Sequence, residues 1–412
     1  MTGKDAFKWA AVGSPSVTET VGSDRDERLV TGYTGRLLIA VSIGWAFIQA
    51  GRLVISPLLP AISTDLGLSS TRAGFAITVI WGLYALLQYP SGRLSDQLSR
   101  TTLLVAGLML LCVGFLVLSG APTYLVLLAG AAVVGLGAGL YPTPARGLVS
   151  DLFVNRRGQA FGIHTASGDV GGVLAAGLAT VVLAVATWRA AFAPVVVVLL
   201  AVALSLHLWS REGYVIEKVD LAVGDTGRRL LKEPQLRWLL VAYALYAFSW
   251  QSATGFLPTY LQVGKGFSAA VANTGFAALF VVGAIVKPVA GSLGDRLPRG
   301  LLAPAVLALA AVMLVGVILA QTPLIATIAV VCFAAGLMAY PPVMQAYLMD
   351  SFPTDSMGGD LGAMRTIYIG IGALGPTYVG AVADVLDYTT AFTGLVACLL
   401  LSSFLIITLG RR

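Results

Sequence analysis

Of 412 residues, 57% are apolar and only 11% are charged, and the formal net charge is +6. A water-soluble chain of this length needs far more charge to cover its surface, so a soluble globule is excluded. The basic residues fall in short segments between apolar runs, which points to a membrane and away from nucleic acid.

The first 36 residues are polar, lack the apolar core of a cleavable signal peptide, and read as a flexible tail. In that tail Asp24, Arg25, Asp26, Glu27 and Arg28 read as a solvated cluster. Twelve apolar runs follow, near residues 37–59, 73–90, 101–119, 124–146, 159–186, 191–209, 237–260, 270–290, 301–320, 323–348, 362–383 and 391–409. Each approaches the roughly 20 residues that a hydrocarbon layer about 30 Å thick requires. The longest interruption, residues 210–236, reads as a linker between residues 37–209 and 237–412. The expected fold is an all-α membrane protein with twelve transmembrane helices in two six-helix bundles.

With the tail in the cytoplasm, that side holds about 21 of the 26 basic residues. The opposite loops keep only Arg72, Arg189 and Lys265, while Arg52 and Lys287 fall inside spans. Both termini are therefore expected in the cytoplasm of a plasma-membrane protein. The three cysteines, Cys112, Cys332 and Cys398, lie within apolar runs and read as packing residues.

The two halves repeat each other at an offset of about 199 residues. Gly92-Arg93-Leu94-Ser95-Asp96, with Arg100 beyond it, follows the second run. Gly291-Ser292-Leu293-Gly294-Asp295-Arg296, with Arg299 beyond it, follows the eighth. Tyr141-Pro142 and Asp151 recur as Tyr340-Pro341 and Asp350, and Leu59-Pro60 recurs as Leu257-Pro258. Six spans per half make these parallel repeats, with a solute site expected between them near the midplane.

Those repeated loops resemble the signature of the major facilitator superfamily, glycine-x-leucine-x-aspartate followed by basic residues. The resemblance covers about residues 37–410. It implies a secondary transporter with a cavity lined by spans one, four, seven and ten. It also implies an inward-side gate built from Gly92, Asp96, Arg100 and Asp151 and their mates Gly291, Asp295, Arg296, Arg299 and Asp350, against the plainer reading of tight turns. Two departures stand out. The family's fourth-span arginine falls at Ala131, and the fifth-span Gly-Pro of antiporters reads Ala175-Ala176, although Gly375-Pro376 stands at the equivalent place in span eleven.

Ionisable groups at membrane depth cost roughly 2.5–3.5 kcal/mol each on insertion scales, so they are paired or functional. Arg52 and Asp169 fall at depths about one helical turn apart, and a pair between them is expected. Two roles stay open for it: a structural tie, or a site in which Asp169 takes a proton and Arg52 holds an anion. His164 lies off the face of Asp169 and is either packing or a proton relay. Lys287 reads as snorkelling toward the inner interface or, alternatively, as adding positive charge to the cavity. Trp45 and Gln49 in span one, with Tyr246, Trp250 and Gln251 in span seven, are candidate cavity residues. Tyr141 and Tyr340 read as a symmetric closure of the inner mouth. Glycines 135, 139, 168 and 172 have the spacing of close helix packing.

The sequence has no phosphate-binding loop, no metal-ligand spacing and no nucleophile–base pair, so neither enzyme nor cofactor is expected. The expected partners are a small-molecule substrate, protons and the lipid bilayer, with a monomer as the working unit. The substrate expected from Arg52 is a small organic anion moved by proton coupling. The alternatives are a neutral sugar or drug carrier of the same fold and a membrane receptor that binds solute without moving it.

Overall fold

The computed structural model describes residues 27–215, 233–351 and 357–410, and these are helical without a strand. Residues 1–26 of the expected tail and 216–232 of the expected linker lie outside the described residues, as does the side chain of Asp96. Eleven described helices are long and apolar enough to cross a membrane. In chain order these are α1 (Gly32–Leu66), α2 (Ser70–Ser95), α3 (Arg100–Ser119), α4 (Tyr124–Leu152), α5 (Arg157–Val185), α6 (Trp188–Trp209), α8 (Ala269–Gly294), α9 (Arg299–Leu319), α10 (Pro323–Ser351), α11 (Leu361–Val385) and α12 (Tyr388–Leu409). The twelfth, α7 (Pro234–Thr259), has 26 residues. Its lower hydropathy follows from Arg237, Ser249, Gln251, Ser252 and Thr254, several of which face the centre of the molecule.

Several helices, α1, α2, α4 and α8 among them, overrun their apolar runs by one to two turns, and polar caps close some of the helix starts. Ser69 Oγ accepts from Arg72 N at the start of α2, and Ser99 Oγ accepts from Thr102 N at the start of α3. Four spans are interrupted just ahead of a proline: α1 at Val54, α2 at Leu87, α4 at Tyr141 and α11 at Ala373–Leu374. The prolines are Pro57, Pro90, Pro142 and Pro376. Each lacks an N–H and crowds the carbonyl four residues earlier, which bends the helix there.

In the first half α1 packs on α5 and α6, α3 on α4 and α6, and α2 on α4; the second half repeats the scheme with α7 to α12. The halves meet through α2 with α11, α5 with α8 and α1 with α7. At the last contact Ser56 Oγ donates to Gly255 O at 2.8 Å, between residues 199 apart in sequence. This is the repeat offset itself, so the bond marks the pseudo-twofold axis. The glycines act as expected in packing: a Cβ on Gly171 would sit 2.2 Å from Ala46 O, and one on Gly135 would sit 2.7 Å from Ile80 O. Leu204, Val281, Ile328 and Phe404 are exposed on the perimeter, an apolar coat suited to lipid tails. Cys112, Cys332 and Cys398 are free thiols.

Glu27 departs from the solvated cluster read from sequence. Its carboxylate accepts from Val154, Asn155 and Arg156 N–H at 2.9, 3.0 and 2.9 Å, at the start of α5. The Asn155 N–H and its neighbours hold this carboxyl below the usual range. The tether is therefore complete at neutral pH and is lost as pH falls into the acid range.

Candidate functional site

Between the halves lies a central cavity of two joined lobes, about 150 and 220 Å³ in volume. Both lobes share Trp45 and Gln49 of α1, Trp250 of α7, Lys287 of α8 and Met338 of α10. The larger lobe adds Arg52, Trp81, Tyr84 and Arg365; the smaller adds Arg146, His164 and Asp169. Four cationic side chains thus line the cavity against one carboxylate among the described residues.

Arg52 ends the first arm of α1, just before the bend at Val54, and is only 5% exposed. Its guanidinium lies 4.0 Å from the Trp81 ring centre and 4.2 Å from that of Tyr84. Such desolvated cation–π contacts are worth about 2 kcal/mol. Nη1 donates to Gln49 Oε1 at 3.2 Å, one turn earlier, while Nε and Nη2 have no partner. Arg365 enters the same lobe from α11, and its Nε is also without a partner. Arg146 lines the smaller lobe with no carboxylate partner among the described residues.

The expected Arg52–Asp169 pair does not form. Asp169 instead accepts from Lys287 Nζ at 2.5 Å, so the ion pair runs from α5 to α8 and joins the two halves. The reason is local. The α2 rings and Gln49 hold Arg52 away, and Gly283, one turn before Lys287, lets α8 close on the carboxylate. A Cβ on Gly283 would lie 3.4 Å from Asp169 Oδ1. Lys287 therefore turns into the cavity and does not snorkel to the interface.

His164 is 2% exposed, its Nδ1 has no partner, and its ring lies 6.2 Å from that of Trp45. It shares the smaller lobe with Asp169 although the two occupy different faces of α5, because the lobe wraps around that helix. Trp250 meets Trp81 edge to face at 5.3 Å across the two halves. Tyr246 Oη donates to Leu337 O at 3.0 Å. Gln251 Nε2 donates to Ile369 O at 3.0 Å, and its Oε1 has no partner. Tyr141 and Tyr340 do not close a mouth. Both are fully buried inside their own halves, Tyr141 stacked on Trp45 and bonded to Val41 O, and Tyr340 against Tyr243 and Tyr246. Arg146 and Arg365 sit at or just inside the edges of the runs 124–146 and 362–383, and sequence reading counted them with the cytoplasmic basic residues. The signal was the length of the helices, which continue past those edges.

At the ends bearing the loop motifs, Arg100 Nε lies 3.4 Å from Asp151 Oδ2 and also bonds Ser95. Arg299 pairs with Asp350 and lies 3.4 Å from Asp295 Oδ1. Each cluster stays within one half. Arg296 is exposed and joins no side-chain hydrogen bond among the described residues. The motif glycines do not mediate close helix contact here: a Cβ on Gly92 meets only Thr143 Cγ2 at 3.9 Å, and one on Gly291 meets nothing within 4 Å.

On the opposite side the halves are sealed. Asp384, at the end of α11, accepts from Ser70 N at 2.9 Å, Thr71 N at 2.8 Å and Thr71 Oγ1 at 2.6 Å, the first turn of α2. Ser70 Oγ bonds Tyr388 Oη at 2.9 Å, and Thr78 Oγ1 donates to Ala373 O at 2.6 Å. Between them the backbones touch, for a Cβ on Gly74 would lie 2.2 Å from Pro376 O. Gly74→Val is therefore expected to part α2 and α11. Spin labels at Ser69 and Leu386 report this as a longer, broader distance distribution than in the parent protein; an unchanged distribution contradicts the seal.

The sequence model of the Major Facilitator Superfamily matches residues 41–376. The chain belongs to the major facilitator superfamily. This facilitator is thus a multi-pass membrane transporter and not an enzyme. It is 24% identical over 397 residues to the gentisate transporter of Corynebacterium glutamicum, covering 92% of this chain and 87% of that one. It is 24% identical over 267 residues to a probable sulfoacetate transporter of Cupriavidus necator (60% and 61% covered). A nitrite extrusion protein of Bacillus subtilis is 25% identical over 247 residues (60% and 61%). Among solved structures, a bacterial homolog of the human lysosomal transporter Spinster, inward-facing and unoccupied, superposes with a TM-score of 0.80 at 19% identity, covering 92% of this facilitator and 98% of that chain. A D-xylose–proton symporter gives a TM-score of 0.72 at 14% identity, with 91% and 97% covered.

Proposed function

We propose that this facilitator carries a small organic anion across the plasma membrane by alternating access, coupled to protons, with both termini in the cytoplasm. The observation that carries the reading is the set of partnerless guanidinium edges in the cavity, Nε and Nη2 of Arg52 and Nε of Arg365. A buried donor without an acceptor costs about 1–3 kcal/mol, and more when charged. A carboxylate meets such a planar fork with two parallel bonds. Gentisate, sulfoacetate and nitrite, named for three relatives, are all acid anions, which supports the same sign of charge here.

Asp169 is the proton acceptor in this reading. Deprotonated, it holds Lys287 and with it the α5–α8 contact between halves. Protonated, it releases the ammonium to the cargo, which lies within the cavity that Lys287 also lines. His164 stands in the same lobe as relay. The motif clusters around Arg100 and Arg299 brace the cytoplasmic ends, and the α2–α11 contacts form the outer gate, closed in this state. Both halves of the cavity come from one chain, so a monomer suffices.

The test is counterflow of radiolabelled gentisate in proteoliposomes, with and without an inward proton gradient. Exchange that the gradient accelerates supports the proposal. Exchange of xylose without gentisate would mark a neutral sugar carrier, and binding without exchange a receptor.

A further inference from the structure

Resting on the organic-anion reading, we infer that the site prefers a flat dianion over a monocarboxylate of the same shape. Three guanidiniums, Arg52 from α1, Arg146 from α4 and Arg365 from α11, line the two joined lobes. None has a carboxylate partner among the described residues. The fourth cation, Lys287, has its own in Asp169, the one carboxylate lining either lobe among those residues. The surplus positive charge is tolerable while water fills the cavity. When the cavity closes around cargo, that water leaves, and each uncompensated cation then bears a desolvation penalty of several kcal/mol. A single carboxylate spans two guanidinium edges and leaves the third exposed to that penalty. Two acid groups give each guanidinium a counter-ion contact and cut the surplus charge from three to one.

The walls define the frame between those acid groups. Trp81 and Tyr84 flank Arg52, and Tyr243 stacks on Tyr368 at 3.9 Å with 9° between planes. These rings, with Trp45 and Trp250, line the larger lobe, and an aromatic wall suits a planar body. The larger lobe holds Arg52 and Arg365 and the smaller holds Arg146, with Trp45, Gln49, Trp250 and Met338 at their junction. A ring at the junction therefore places one acid group on Arg52 and Arg365 and the other on Arg146.

Isothermal titration of the purified full chain with terephthalate and with terephthalamate tests this. The two share size and shape but differ by one negative charge. Terephthalate is expected to bind at least about tenfold more tightly, the equivalent of one added charge contact. Arg146→Gln is expected to bring that ratio near one by weakening terephthalate far more than terephthalamate. Equal affinities in the parent protein overturn the dianion inference and leave the anion reading standing. Absence of binding by both acids, together with no gentisate counterflow, overturns both.

Discussion

Uptake of gentisate by an Arg52→Gln variant is expected to fall about 100-fold. Arg52 offers two unpartnered charged donors to the cavity, and charged hydrogen bonds contribute roughly 1.5–3 kcal/mol each, where 1.4 kcal/mol is tenfold. Initial uptake rates in proteoliposomes read the loss directly. Stability is expected to hold or rise, because the substitution removes a buried cation that has no carboxylate beside it. Arg52→Lys is expected to recover little: an ammonium lacks the fork and does not lie flat between Trp81 and Tyr84. Parent-level uptake in Arg52→Gln would sink the assignment and favour an uncharged cargo.

The second large effect is at Asp169. Asparagine there keeps the shape, removes the proton site and leaves Lys287 without its counter-charge. Breaking one side of a buried pair costs about 3–5 kcal/mol. The lower end is expected, because the Lys287 side chain is 28% exposed to the cavity while Asp169 is 7% exposed. Asp169→Asn should therefore melt at lower temperature and transport without dependence on a proton gradient. Adding Lys287→Met should restore the melting temperature but not the proton dependence, which separates the structural role of the pair from its coupling role. A gradient dependence that survives in Asp169→Asn removes this residue from the mechanism.

The fold was legible because hydrocarbon imposes a simple requirement, about 20 apolar residues per crossing, and because the chain states its architecture twice. The repeat of Gly92–Arg100 in Gly291–Arg299 predicted two equivalent halves, and the Ser56–Gly255 bond shows their axis. The site was legible only as a set of residue types at depth. Depth along a helix does not specify rotation about it, and rotation decides partners. Arg52 and Asp169 lie at comparable depths, yet one faces α2 and the other α8. Arg146 and Arg365 escaped for a related reason: hydropathy marks where lipid ends, not where a helix ends. Tyr141 and Tyr340 show the limit of symmetry as a guide, since equivalent positions need not lie on the surface where the halves meet.

The bends ahead of Pro57 and Pro376 divide their spans into arms with separate duties. In α1 the arm before the bend ends in Arg52 and the arm after it carries Ser56. In α11 the earlier arm holds Arg365, and the later one, Gly375–Val385, holds Gly380 and Asp384. Each joint thus stands between a guanidinium proposed to hold cargo and a contact that joins the two halves on the far side. On the proposed mechanism, cargo seated at one arm would act on the other through a fulcrum already present in the resting carrier.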